Sequence, residues 1–116
     1  IITLAKKIDN LDEIDNKNIV KVSFNANLDA VNFKRKIINK SKDIYKHIGI
    51  YGFRRDILKK ITQLKKSKLE VSSDLEQIRW IENNFKIKVI KTKEDEFSID
   101  TIEDVKKIKH QYKTHF

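Results

Sequence analysis

The chain has 116 residues and a formal net charge of +9 at pH 7, with 26 Lys and Arg against 17 Asp and Glu. It contains no cysteine, which excludes disulfides, thiolate metal ligands and a cysteine nucleophile. No apolar run approaches the roughly 18 residues of a membrane helix, so the sequence predicts a cytoplasmic protein of at most one domain with no membrane partner.

The first half of the chain is predicted to form four strands. A polar loop runs through Asn18, an Asn-rich turn occupies residues 25–27, and a basic loop occupies residues 34–41. Gly52 allows a tight exit from the last of these strands. The β-branched and aromatic runs that predict the strands cover residues 1–6, 19–24, 28–33 and 44–51.

The second half is predicted to be mostly helical, which gives an α/β fold. The first helix starts at Asp56 and runs to Lys66, with apolar residues on one face. Ser73 and Glu76 have the spacing of a capping box and predict the start of the second helix. Thr101 is the predicted N-cap of the third. The remaining predicted elements are a strand over residues 86–90 and a short extended piece over residues 97–100.

The stretch from Lys46 to Asp56 holds both glycines of the chain and is the first candidate for a site. Strand alternation places His47, Gly49 and Tyr51 on one face, where Gly49 would let a ligand approach the backbone. An imidazole can donate a hydrogen bond to a carboxylate or a hydroxyl. The alternatives are a packed histidine and a core tyrosine whose hydroxyl is satisfied inside the protein.

Several motifs along the chain occur in the order found in one enzyme family. They are Thr3-Leu4-Ala5, Val20-Lys21-Val22, the segment from His47 to Arg54, Leu75-Glu76-Gln77-Ile78-Arg79, and the segment from Ile99 to Val105. Together they resemble the CMP-Kdo synthetases, or 3-deoxy-manno-octulosonate cytidylyltransferases, over nearly all of the chain. The resemblance implies a nucleotidyltransferase-like mixed sheet flanked by helices.

The resemblance covers only the C-terminal half of such an enzyme. The family's first half carries the glycine-containing loop that holds the CTP phosphates, and no glycine precedes Gly49 here. Residues 1–116 are therefore expected to be a single partial domain for sugar binding and dimerisation, without the N-terminal CTP-binding half. A separately encoded N-terminal half, a decayed gene and a truncated sequence all remain open.

The resemblance also implies roles for individual side chains. Glu76 is equally explained as a helix cap, so Gln77 is favoured as the ligand-facing member of that pair, and Arg79 is interpreted as structural. The loop around Arg35 lacks the serine and prolines of the family pattern. A lone Asp100 is a poor Mg²⁺ site, so magnesium is expected only in a complete site. The implied sugar-acid ligands are Arg35, His47, Tyr51, Glu76 and Gln77, and the implied metal ligand is Asp100.

The family's reaction joins CTP and Kdo (3-deoxy-manno-octulosonate) into CMP-Kdo and pyrophosphate for lipopolysaccharide biosynthesis. The resemblance implies that this chain is the C-terminal portion of that enzyme, a homodimer with Kdo and CTP as substrates, and inactive alone. A decayed, non-enzymatic α/β fragment is one alternative. A small basic nucleic-acid-binding protein is another, although the lysines are scattered among acidic residues and nucleic acid is not the expected partner.

Overall fold

The computed structural model describes residues 1–40, 42–94 and 99–112 and shows a five-stranded mixed sheet with helices around it. The strands are β1 (Ile2–Lys7), β2 (Lys21–Phe24), β3 (Ala30–Lys34), β4 (Tyr45–Gly52) and β5 (Lys88–Lys91). The helices are α1 (Leu11–Asp15), α2 (Arg55–Ile61), α3 (Lys68–Ser73), α4 (Gln77–Glu82) and α5 (Ile102–Gln111). The α/β class and the mixed sheet predicted from the sequence are confirmed.

The sheet has the strand order β3-β2-β4-β1-β5, so β4 is its central strand. β2 and β3 form the predicted hairpin, and β2 also pairs with β4 in antiparallel fashion. β1 is antiparallel to β4 but parallel to β5. β3 and β5 stand at the two ends of this strand order, and the residues just before β3 pair with β5 through an antiparallel bridge between Asp29 and Lys88.

The core lies between one face of the sheet and the helices. Alternate residues of β1, Thr3 and Ala5, are buried on this face together with Val89 of β5. α4 contributes Ile78 and Trp80 to the same cluster. A smaller cluster of Ile8, Ile14 and Ile44 fixes α1 against the ends of β1 and β4. Burial of these apolar side chains is the main stabilising term for the fold.

Two short helices were not predicted. α1 lies in the predicted polar loop, where the Asn10 side chain accepts a hydrogen bond from the backbone N–H of Asp12 at 2.9 Å. α2 ends at Ile61 instead of continuing to Lys66. The chain then turns and starts α3, whose N-cap is Ser67. In helices this short, too few apolar residues recur at helical spacing for the sequence to predict them.

The predicted capping box at Ser73 and Glu76 is wrong. Ser73 is the last residue of α3, and its hydroxyl donates to the carbonyl oxygen of Leu69 at 2.6 Å. Asp74 then takes a left-handed conformation with φ 53°, which ends the helix. Glu76 precedes α4 without a capping hydrogen bond from its side chain. Serine side chains within a helix often donate in this way to a carbonyl oxygen of the preceding turn.

The capping box predicted for the last helix is confirmed. The backbone N–H of Asp104 donates to Thr101 Oγ1 at 3.2 Å, and the N–H of Thr101 donates to Asp104 Oδ2 at 3.0 Å. None of the side chains of α5 is buried among the described residues.

The described part of the chain contains no helix long and apolar enough to cross a membrane. The extended piece predicted over residues 97–100 lies partly outside the described residues.

The uncovered face of the sheet leads to a prediction about self-association. Ile2 and Ile90 lie on this face, and each is 46% exposed. Because exposed apolar side chains on one face of a sheet favour association, we expect the chain to form dimers or larger species in sedimentation velocity. The double variant Ile2→Lys with Ile90→Lys should shift it towards monomer, whereas the exposed Gln63→Lys should not. A wild-type monomer at all concentrations would contradict this expectation.

Candidate functional site

The candidate site is built on a bulge in β4. Thr3 of β1 pairs with Tyr51, while the next residue, Leu4, pairs with Ile48, so the two intervening residues of β4 have no partner on β1. Because two residues are added, the alternation of faces is preserved. His47 and Tyr51 therefore point to the same covered face, as predicted, while Gly49 lies in the bulge. A Cβ at Gly49 would meet no atom within 4 Å, so open space adjoins the backbone there.

Five rings from β3, β4, α4 and the residues next to them form a continuous wall, which we call the ring cluster. The His47 ring lies 4.9 Å from Phe33, edge to face, and 5.4 Å from Tyr51. Tyr51 lies 5.0 Å from Trp80 and 5.8 Å from Phe53. Contacts at these distances are favourable beyond the burial of apolar area. The ring cluster holds the two site residues of β4 in fixed orientations.

His47 is neutral in this environment. It is only 9% exposed, and burial lowers the pKa of its imidazole from 6.5 to about 4. Its Nε2 lies 2.8 Å from Thr3 Oγ1. A neutral imidazole can hydrogen-bond to a ligand but offers no charge to a carboxylate. The sequence predicted that His47 donates a hydrogen bond to a carboxylate or a hydroxyl. In the structure His47 is a neutral hydrogen-bonding group.

Tyr51 links the strand to the start of α4. Burial raises the pKa of its hydroxyl, and the Glu76 carboxylate raises it further. The phenol is therefore protonated at neutral pH and can donate a hydrogen bond. Glu76 directly precedes Gln77, the first residue of α4, and the role that the resemblance gives this pair stays a prediction.

Gln77, the first residue of α4, is 7% exposed. Among the residues that the structure describes, none forms a hydrogen bond with its side-chain amide. A buried amide without a partner costs free energy, and every fully buried polar side-chain atom in the described region has a partner. The amide of Gln77 therefore keeps some access to solvent, where a ligand can replace water.

Arg35 is not placed against the ring cluster through its charged group. Its Nε donates to the carbonyl oxygen of Ser73 at 3.2 Å, and its two terminal nitrogens donate to the carbonyl oxygens of Lys17 and Asp74 at 3.2 and 3.1 Å. The guanidinium thus joins the loop before β2 to the last residue of α3 and to the residue that follows it. Arg35 and Phe33 line the same cavity of about 460 Å³. Arg35 therefore lies near the Phe33 end of the ring cluster.

Lys21 supports Arg35 and was not predicted to matter. Its Nζ donates to the carbonyl oxygens of Asn16 and Arg35, both at 2.7 Å, and the residue is 2% exposed. Burial lowers the pKa of this ammonium group. The Val20-Lys21-Val22 motif was interpreted only as a strand. A lysine at an inward-facing strand position was the signal that could have revealed it.

The guanidinium of Arg35 should therefore stabilise the fold. We expect Arg35→Lys to lower the free energy of unfolding by about 1 to 2 kcal/mol, because a lysine cannot reach three carbonyl oxygens from one planar group. Urea unfolding followed by circular dichroism measures this change. Arg54→Lys is the matched control, since the side chain of Arg54 is 84% exposed. Equal stabilities of the two variants would show that Arg35 has no clamping role.

Asp100 lies at the start of α5 and is exposed. Its backbone N–H donates to Asp104 Oδ2 at 3.1 Å, and the same carboxylate caps the helix. The described residues contain no group of three or more His, Asp or Glu side chains that could hold a metal ion. One carboxylate does not make a Mg²⁺ site. The described residues do not fit the ion on their own, and the role of Asp100 as a metal ligand stays a prediction.

Arg79 is structural, as interpreted from the sequence. Its Nε and one terminal nitrogen donate to the two oxygens of the Glu70 carboxylate at 2.7 and 2.5 Å. This paired geometry lowers the pKa of Glu70. The pair joins α3 to α4 and so fixes the helix that carries Gln77 and Trp80.

Comparison with known proteins gives a consistent picture. The family model described as cytidylyltransferase matches residues 1–91. The 3-deoxy-manno-octulosonate cytidylyltransferase of Parabacteroides distasonis is 42% identical over 92% of this chain and 49% of its own length. The enzyme of the same name from Thermodesulfovibrio yellowstonii is 46% identical over 89% of this chain and 45% of its own length.

A solved structure agrees with these matches. The structure of CMP:2-keto-3-deoxy-manno-octonic acid synthetase in complex with CTP superimposes with a TM-score of 0.86 at 28% identity, covering 99% of this chain and 49% of that one. The chain thus spans about half the length of the relatives that it matches. These matches do not confirm the prediction that it is their C-terminal half.

Proposed function

The chain belongs to the cytidylyltransferase family, and we propose on that premise that it supplies the sugar-acid site of an enzyme that makes CMP-Kdo from CTP and Kdo. The family resemblance stated from the motifs is confirmed. Two relatives bear the name of that enzyme, and the solved structure of a synthetase holds CTP. Because the chain spans about half of these proteins, the whole enzyme's activity is part of the proposal.

One observation carries the assignment to the sugar acid. Neutral hydrogen-bonding groups of His47, Tyr51 and Gln77 lie on or beside an apolar wall of rings, and the amide of Gln77 has no partner among the described residues. Sugar rings present hydroxyl groups on an apolar carbon frame. An apolar surface with a few placed neutral polar groups suits such a molecule.

The proposed reaction needs more than this site. The anomeric hydroxyl of Kdo attacks the α-phosphorus of CTP, a new P–O bond forms, the bond to pyrophosphate breaks, and the hydroxyl proton is released. Positioning and neutralisation of phosphate charge supply the catalysis. Residues 1–48 contain no glycine from which a phosphate loop could be built. We therefore assign only the sugar acid to this chain and expect the CTP phosphates and Mg²⁺ to be held by further residues of a complete enzyme.

Binding of Kdo in the absence of CTP and Mg²⁺ tests the proposal. By calorimetry we expect the wild type to bind Kdo and Gln77→Leu to bind it about tenfold more weakly, the effect of losing one hydrogen bond of roughly 1.4 kcal/mol. His110→Ala, on the exposed helix α5, is the matched control and should bind as the wild type does. Failure of the wild type to bind, or equal binding by Gln77→Leu, would contradict the sugar-acid site.

An activity assay tests the other part of the proposal. With CTP, Kdo and Mg²⁺, we expect the chain alone to form no CMP-Kdo, because Asp100 is its one implied metal ligand and residues 1–48 contain no glycine for a phosphate loop. Release of pyrophosphate is the measurement, and a complete synthetase is the positive control. Turnover by this chain alone would show that its own residues suffice. Homodimer formation, a role in lipopolysaccharide biosynthesis and a cytoplasmic location stay predictions.

A further inference from the structure

Thr3 occupies an unusual position at the bulge of β4. It is 1% exposed, and its hydroxyl oxygen lies 2.8 Å from His47 Nε2. The same oxygen lies 2.9 Å from the carbonyl oxygen of Ile50 and 3.2 Å from that of Ile48. One hydroxyl therefore contacts the imidazole and the carbonyl groups of the residues on either side of Gly49.

The direction of these hydrogen bonds follows from counting protons. A hydroxyl has one proton to donate, and a carbonyl oxygen can only accept. If the Thr3 proton pointed to His47, the Thr3 oxygen would face two carbonyl oxygens, at 2.9 and 3.2 Å, without a proton between them. That arrangement is repulsive. The proton of Thr3 must point to the carbonyls, so Nε2 of His47 must be the donor to Thr3.

We propose that Thr3 is a positioning residue that holds the neutral His47 ring as its Nε2–H tautomer and leaves Nδ1 as an acceptor for a hydroxyl group of the bound sugar acid. The tautomer rests on geometry alone, while the hydroxyl partner rests on the proposed function. The described residues provide no hydrogen-bond partner for Nδ1, and the ring is held in place by Phe33 and Tyr51. The carboxylate of the sugar acid, which can only accept, is excluded from this atom.

The burial of the ring supports the same conclusion. A protonated imidazole would donate from both nitrogens and could meet a carboxylate, but the low pKa of His47 keeps the ring neutral at pH 7. A neutral ring has one donor and one acceptor. With the donor used by Thr3, only the acceptor is left for a ligand. The site would thus distinguish a hydroxyl from a carboxylate at this atom.

Nuclear magnetic resonance of the ¹⁵N-labelled chain tests the tautomer directly. Long-range ¹H–¹⁵N correlation at pH 7 separates a protonated from an unprotonated ring nitrogen. We expect the His47 signals to show a protonated Nε2 and an unprotonated Nδ1, whereas the exposed His110 should show averaged signals. A protonated Nδ1, or averaging at His47, would overturn the proposal. This measurement needs no ligand, so it stands even if the chain does not bind Kdo.

Variants of Thr3 separate the positioning role from a merely structural one. Thr3→Ser keeps the hydroxyl and should keep the Nε2–H tautomer, and Thr3→Val removes the hydroxyl at nearly equal volume and should give averaged signals. A Val variant that retains the tautomer would show that Thr3 does not select it. If Thr3→Val does not fold, the spectra of the wild type and of Thr3→Ser still test the proposal. Loss of the Nε2–H tautomer of His47 in Thr3→Ser would contradict it.

The ligand part is tested in the same spectra. At saturating Kdo we expect the Nδ1 signal to move while the nitrogen stays unprotonated, as for an acceptor from a hydroxyl. Protonation of Nδ1 in the complex would show that the imidazole meets the carboxylate and would overturn the hydroxyl assignment. If Kdo does not bind to the wild type, the proposed function fails and the hydroxyl partner with it, while the tautomer is judged by the ligand-free spectra.

Discussion

Replacing Trp80 by Ala is expected to lower the free energy of unfolding by about 3 to 5 kcal/mol, the range for large aromatic residues removed from cores. Trp80 is 5% exposed, and its ring lies edge-on to Tyr51 at 5.0 Å and to Phe53 at 5.5 Å. The substitution opens a cavity between α4 and the sheet. Since domains of this size are stable by about 5 to 15 kcal/mol, much of the chain's stability would be lost.

The measurement is urea unfolding followed by circular dichroism, because Trp80 is the only tryptophan and its fluorescence is absent from the variant. Ile102→Ala is the control, since Ile102 is 76% exposed on α5 and should change the stability by less than about 0.5 kcal/mol. The same substitution at Trp80 should also weaken Kdo binding, because it removes the support behind Tyr51. If Trp80→Ala is as stable as Ile102→Ala, the ring cluster is not the core of the site.

The second large effect is the dependence of stability on pH. The pKa of His47 is about 4 in the folded chain, against 6.5 for an imidazole exposed to water, so between these values the unfolded chain binds more protons. The free energy of unfolding should therefore decrease as the pH falls from about 6.5 towards 4. At 1.36 kcal/mol per pKa unit, the contribution of His47 lost between pH 7 and pH 4.5 is about 2 to 3 kcal/mol.

A comparison of variants isolates this contribution from that of the carboxylates. His47→Gln has no imidazole to titrate. Between pH 7 and pH 4.5 its free energy of unfolding should therefore fall by about 2 to 3 kcal/mol less than that of the wild type. His110→Gln, on the exposed helix α5, should follow the wild type. The measurement is urea unfolding at both pH values. A His47→Gln variant with the same pH dependence as the wild type would show that His47 is not buried in neutral form.

Much of the fold could be predicted from local sequence patterns. The β-branched runs around Val22 and Ile48 are dense enough to define strands, and the spacing of Thr101 and Asp104 defines a cap that the structure confirms. Ser73 was misread because a capping box and the end of a helix present the same residues. The difference depends on whether a turn of helix precedes the serine. That turn, in α3, has only Glu70 as a buried residue and gives no apolar stripe.

For the site too, the sequence predicted local features but not contacts between distant residues. His47 and Tyr51 were predicted on one face, and their rings lie 5.4 Å apart. Thr3 could not be connected to them, since its contact with His47 spans 44 positions and depends on a bulge that shifts the register. Arg35 was expected to bind the sugar acid from its motif alone. Its backbone partners lie in the loop before β2 and after α3, and no local pattern reveals contacts of that kind.

The central claim is that the ring cluster and the start of α4 hold a sugar acid, and a titration with Kdo followed by ¹H–¹⁵N correlation spectra tests it most directly. The amide signals of His47, Tyr51 and Gln77 should shift and saturate together, while those of the exposed helix α5 stay in place. His47→Gln and Gln77→Leu should weaken the response. Shifts confined to the exposed lysines, or no saturable shift at the ring cluster, would contradict the claim.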